Sequence, residues 1–168
     1  MRKLLTVAIS LLLGLVAGNA QTPLLTYFEK TQGKESPTYE EIIAWWKKAD
    51  QSSPLLTLQT KGPTDAGFPL HLALLSNKGF TSIYSAKNAG ATIILVNNGI
   101  HPGEPDGIDA SMLLAKKVIE KKLLLPQHIV LAIIPVYNIG GCLNRSTNFR
   151  VDQDGPVAFG SRGNSQYL

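Results

Sequence analysis

Cysteine is nearly missing: Cys142 is the only one in 168 residues, which excludes an internal disulfide framework. Charge is scarce as well. Charged residues make up 17% of the chain, and 16 Lys+Arg stand against 12 Asp+Glu for a formal net charge of +4. Arg2 and Lys3 fall in a segment read below as removable, and without them the balance is 14 against 12, or +2. That is too weak for a nucleic-acid footprint, and no Lys/Arg stripe replaces it. Internal repeats, heptads and low-complexity tracts are also absent. What remains is 44% hydrophobic and 7% aromatic, the balance of a globular chain rather than a disordered, collagen-like or polytopic membrane one.

The one long apolar run, Leu4 to Val16, follows Arg2-Lys3 and precedes Ala17-Gly18-Asn19-Ala20. A basic start, a short apolar stretch and small residues at Gly18 and Ala20 describe a secretory signal peptide, residues 1–20, cut after Ala20. The run falls short of the roughly 20 apolar residues of a membrane span, and an uncleaved anchor is the alternative on the same features. The expected product is exported, secreted or periplasmic, free of the membrane after cleavage, and starts near Gln21. Export without disulfides is ordinary for a domain of this size.

Alternating α and β signals follow. Thr38-Tyr39-Glu40-Glu41 has the capping-box form, and Tyr39, Ile42, Ile43 and Trp46 recur at helical spacing. Trp45 and Trp46 are therefore expected to pack rather than to present a ligand platform. Leu55 to Thr60 predicts a strand, Lys61–Gly67 a turn, and Leu70 to Leu75 the second strand of a hairpin. His71, mid-strand with no metal-spaced neighbour, is read as a structural or surface histidine. Ala91 to Val96 is an unbroken apolar run, as expected of a central strand buried on both faces. After a polar loop, Ile108, Met112, Ala115 and Ile119 predict a helix with Lys116, Lys117, Lys121 and Lys122 on its outer side. His128 to Tyr137 predicts another strand. Strand, helix, strand implies a parallel pair with a right-handed crossover. The fold class is α/β, a mixed, partly parallel sheet flanked by helices.

In such sheets ligands bind beyond the carboxyl ends of strands. The residues leaving the Ala91–Val96 strand include His101 and Glu104, three apart around Pro102 and Gly103, which can turn both side chains toward one point. Imidazole and carboxylate are ordinary zinc ligands, but a catalytic site takes three plus an open position. By itself His-x-x-Glu also occurs as two solvated side chains of a polar loop.

Asn98-Gly99-Ile100-His101-Pro102-Gly103-Glu104-Pro105-Asp106-Gly107, then a helix, then the strand ending Ile134-Pro135-Val136-Tyr137-Asn138, resembles the zinc carboxypeptidase family of the carboxypeptidase A type. The helix start at Thr38 resembles the opening of that domain, and the likeness runs from about residue 36 onward. The resemblance implies that His101 and Glu104 are the first two ligands of one zinc ion. It implies that Arg162, in Ser161-Arg162-Gly163-Asn164, polarises the scissile carbonyl and stabilises the oxyanion, a role that suits a fixed guanidinium; a solvated loop arginine is the plainer reading. Gly103 stands where members of the family often carry an arginine, so that substrate contact is expected to be missing. The family also grips the substrate carboxylate with an Asn-Arg pair that follows the oxyanion arginine. Asn144-Arg145 precedes Arg162, so it is read as loop.

The same resemblance places the third ligand, a histidine, and the glutamate general base downstream of Leu168; His71 and His128 are far from the required position. The 31 residues after Tyr137 are polar and loop-like, and a sheet ending there leaves an apolar strand edge and face uncovered. Residues 21–168 are thus expected to be the N-terminal part of a truncated catalytic domain. The activity implied is zinc-dependent removal of a C-terminal residue from a peptide or protein. A related zinc amidohydrolase or deacylase, and a non-catalytic secreted binding protein of the same fold, are the alternatives.

Overall fold

The computed structural model describes residues 24–149 and 155–166; the expected signal peptide lies outside them. In chain order the elements are α1 (Tyr27–Thr31), α2 (Tyr39–Ser52), β1 (Leu56–Pro63), β2 (Pro69–Leu75), α3 (Ile83–Asn88), β3 (Thr92–Asn97), α4 (Asp106–Ile119), β4 (Ile129–Ile134), α5 (Ile139–Leu143), β5 (Arg145–Ser146) and β6 (Phe159–Gly160). The first four strands form one sheet in the order β1-β2-β4-β3. Its β1–β2 and β2–β4 pairs are antiparallel and its β3–β4 pair is parallel. Helices cover both faces, which makes the architecture the mixed α/β sheet expected from the sequence.

Local chemistry explains the elements. Thr38 caps α2 reciprocally with Glu41, as its spacing predicts. The face carrying Tyr39, Ile42, Ile43, Trp45, Trp46 and Ala49 is buried, so both tryptophans pack. Alternation then sorts the strands between two cores. Ala73 and Leu75 of β2 and Leu131 and Ile133 of β4 meet α2 and α4 on one face. Leu74, Val130 and Ala132 meet Ala86 of α3 on the other, as the two-residue period of a strand requires. His71 shares the α2 face and is buried, hence structural. Its Nδ1 has no hydrogen-bond partner among the described residues, and burial, then the charge of Lys47, hold its pKa below the usual histidine value.

Four expectations need correction. β1 runs past Thr60 to Pro63, because a register irregularity lets Pro63 pair with Pro69 across the turn. β3 is an edge strand of this sheet, with Leu95 62% exposed and Ile94 45% exposed, so its apolar run is not buried on both faces. Lys116 is not on the outer side of α4: its ammonium lies 2.5 Å from Glu29 Oε1 with the lysine side chain only 12% exposed, tying α1 to α4. The stretch after Tyr137 is not all loop, since it forms α5 and the β5–β6 pair. Among the described residues no helix is long and apolar enough to cross a membrane.

Candidate functional site

Parallel β3 and β4 release their chains at the same edge of the sheet, and backbone bonds stitch the two exits together. Tyr137 N–H donates to Asn98 O (2.8 Å) and Asn138 N–H to Gly99 O (3.0 Å). Buried Asn98 donates through Nδ2 to Ser111 Oγ of α4 at 2.9 Å. Gly99 sits at φ +64°, a left-handed conformation that a side chain would strain, with Ile108 and Val136 close around it. The loop then turns: Glu104 N–H donates to His101 O at 2.9 Å, and Pro102 and Gly103 are buried beneath the turn. That turn brings His101 Nδ1 within 3.5 Å of Glu104 Oε2, both side chains partly exposed. The expected convergence of His101 and Glu104 is therefore present.

Arg162 arrives from a distant segment, 61 residues from His101. Its Nη2 lies 3.3 Å from His101 Nδ1 and 3.4 Å from Glu104 Oε1. The three residues singled out from sequence thus form one cluster. The docking of residues 160–165 on α5 puts Arg162 there. Gly141 allows it, since a Cβ at that position would fall 2.5 Å from Gly163 O and 2.7 Å from Ser161 O. Gly160 plays the same part opposite Gly141 O and Pro102.

Asn138 locks this arrangement. Its Oδ1 accepts from Gly141 N–H (2.9 Å), capping α5. Its Nδ2 lies within bonding distance of Ile100 O (3.3 Å), Arg162 O (3.2 Å) and Gly163 O (2.9 Å). One amide therefore ties the histidine loop to the arginine loop. Sequence reasoning placed Asn138 at a strand end and gave it no role. An Asn two residues before Gly140-Gly141 was the available sign of a helix cap with close backbone approach behind it.

Arg145 belongs elsewhere, as its place in the sequence suggested. Its guanidinium donates to Pro37 O, Ser36 O, Ser36 Oγ and Ala158 O at 2.7–3.1 Å. It is a clamp on backbone, and its strand position corrects the loop reading.

Beside His101 and Arg162 opens a cleft of about 690 Å³. Leu70, Ile100 and Tyr137 give it apolar lining; Lys61 of β1 and Asp65 on the β1–β2 turn line its other side. Asp65 accepts from Ser165 Oγ at 2.6 Å, joining that turn to the arginine segment.

The pair fits a zinc ion as part of a ligand set. Two donors on one tetrahedral zinc, at about 2.0–2.2 Å each, sit about 3.4 Å apart, and the observed separation is 3.5 Å. Among the described residues no group of three or more His, Cys, Asp or Glu is arranged to hold a metal, so the pair alone is not a complete centre.

No family model matches the sequence, and no curated protein does. Among solved structures the chain is similar to the carboxypeptidase A from Helicoverpa armigera, at 19% identity and a TM-score of 0.54 over 68% of this chain and 30% of that one. It is also similar to bovine thrombin-activatable fibrinolysis inhibitor, solved in complex with tick carboxypeptidase inhibitor, at 19% identity and 0.53 over 67% and 34%. The chain therefore spans about a third of the length of either neighbour. The shared arrangement of sheet and helices is that of a carboxypeptidase-like fold.

Proposed function

We propose that this chain supplies part of the active site of a secreted zinc-dependent hydrolase that removes a C-terminal residue from peptides. The observation that carries the proposal is the cluster at the strand exits. His101 Nδ1 and Glu104 Oε2 are spaced as two zinc donors, with the Arg162 guanidinium against both and a cleft alongside. The third ligand and the general base are taken to lie outside the described residues.

His101 and Glu104 would hold the metal, which when bound would supply polarisation of a carbonyl and a water of lowered pKa. The rest falls to this chain's own groups. Arg162 presents several donors on a rigid planar head, suited to the oxygen on which negative charge develops. Asn138 and α5 fix its backbone, so the guanidinium pivots from a set position. The cleft bounded by Ile100 and Tyr137 gives a peptide an apolar wall next to the reacting carbonyl.

The test is made on protein carrying this chain, by zinc content after equilibrium dialysis and by amino-acid release from blocked peptides with a free C-terminus. His101→Ala is expected to abolish both. Arg162→Ala is expected to leave the metal in place and cut turnover by about 10²–10³-fold, the range for removal of an oxyanion donor. Zinc-free protein, or His101→Ala with unchanged hydrolysis, would overturn the proposal. Hydrolysis of N-acyl amino acids in place of peptides would move the assignment to a deacylase.

A further inference from the structure

Resting on the zinc reading, we propose that Arg162 and the metal ion compete for the same pair. The guanidinium closes the pair when metal is absent and is expelled into the cleft when metal enters.

The cluster has the geometry of a cation already in place. The Arg162 Nη2 is 3.3 Å from His101 Nδ1 and 3.4 Å from Glu104 Oε1, against a Nδ1 to Oε2 separation of 3.5 Å. A guanidinium has only donors, so its contact with Nδ1 is a hydrogen bond in the tautomer that carries the ring proton on Nε2, where the Nδ1 lone pair accepts. A metal ion needs that same lone pair at about 2.0–2.1 Å. One lone pair cannot serve both. The charges oppose each other too, since a divalent ion and a guanidinium sharing a carboxylate repel at short range.

The arginine is free to leave. Its side chain is 65% exposed, so withdrawal uncovers little apolar surface, and among the described residues its side-chain hydrogen bonds and ion pair are to His101 and Glu104. Its backbone is not free: Asn138 Nδ2 holds Arg162 O and Gly163 O, and the segment rests on the α5 glycines. Expulsion is thus a swing of the side chain alone. Arg162 already lines the cleft together with Ile100, Tyr137 and Asn138, so the swing ends where a substrate carbonyl would lie. Metal loading would then be the event that frees the guanidinium for substrate.

The test titrates Zn²⁺ into the full chain against a chromophoric chelator, with no turnover involved. Arg162→Met, which keeps the bulk and removes the charge, is expected to bind zinc at least tenfold more tightly than the unmodified chain. Arg162→Lys is expected to stay within about threefold of it, and His101→Ala to remove binding in every background. In the unmodified chain the ¹⁵N resonance of Arg162 Nε is expected to shift along the same saturation curve as the metal, a readout that requires no variant to fold. If Arg162→Met binds zinc equally or more weakly while His101→Ala still abolishes binding, the competition falls and the zinc reading stands. A stationary Arg162 resonance during saturation of His101 has the same meaning. If His101→Ala leaves binding unchanged, or no chain binds zinc, both fall together.

Discussion

Asp109 shows how burial outweighs a favourable helix position. It lies in the first turn of α4, where the macrodipole favours a negative charge by about 0.3–1 kcal/mol. Yet the residue is 8% exposed and its Oδ1 has no hydrogen-bond partner among the described residues. Desolvation, then the charge of Asp106, pushes its pKa up from 3.8 to about 6. A carboxyl raised in this way binds its proton more readily folded than unfolded, so stability falls as pH rises from about 4 through 6. Asp109→Asn should remove that dependence and stabilise the chain at pH 7 by up to about 3 kcal/mol, taking 1.36 kcal/mol per unit. Urea unfolding at pH 4.5 and pH 7 checks it, with a gain clearly larger at the higher pH. Nothing in the sequence distinguishes Asp109 from a solvated carboxylate: its helical spacing is visible, but its enclosure depends on distant packing. His101 and Glu104 were legible because three-residue spacing around Pro102-Gly103 makes their convergence a local matter. Arg162 was legible only through family resemblance, since nothing local links it to a loop 61 residues away.

Among the elements, α5 is a short helix with a large consequence. Its Gly140 and Gly141 let the arginine segment lie directly on it. Gly141→Ala would place a methyl 2.5 Å from Gly163 O and 2.6 Å from Asn138 Nδ2, too close for either to stay. The expected cost is about 1–3 kcal/mol of overpacking, and the Arg162–His101 contact should be lost in an NMR comparison while the α2 and α4 signals stay put. An unchanged spectrum would show that the segment docks by another route. Helices α2 and α4 and the β1–β2 hairpin were readable because each announces itself within a dozen residues, by caps, a 3.6 period or alternation. Periodicity was blind in β3. An unbroken apolar run reads alike whether a strand lies inside a sheet or at its edge, because that depends on which strands pair beside it.

For the molecule as a whole, the exposed apolar edge is the main liability. Leu95 at 62% and Ile94 at 45% exposure stand on opposite faces of β3, whose outer side pairs with no strand among the described residues. Unpaired backbone groups beside apolar side chains form a template for another strand. This chain should therefore self-associate in a concentration-dependent way, and Leu95→Lys should shift it toward monomer in sedimentation velocity without lowering its melting temperature. Equal sedimentation of both forms would count against the edge as the cause. The parallel pair followed from the βαβ reading, whereas the order of the sheet, with β3 at its edge, and the closure of Arg145 and Ala158 onto the start of α2 did not.

That closure has a kinetic meaning. Arg145 grips Ser36 and Pro37 across more than a hundred residues of sequence while also holding Ala158. The histidine and glutamate need only a four-residue turn to meet, but Arg162 joins them only once its segment, 61 residues away in sequence, has docked on Asn138 and α5. Long-range closure is slow relative to local turns. During folding, the His101–Glu104 pair would therefore be assembled before the guanidinium reaches it, leaving both side chains open to the surrounding medium in that interval.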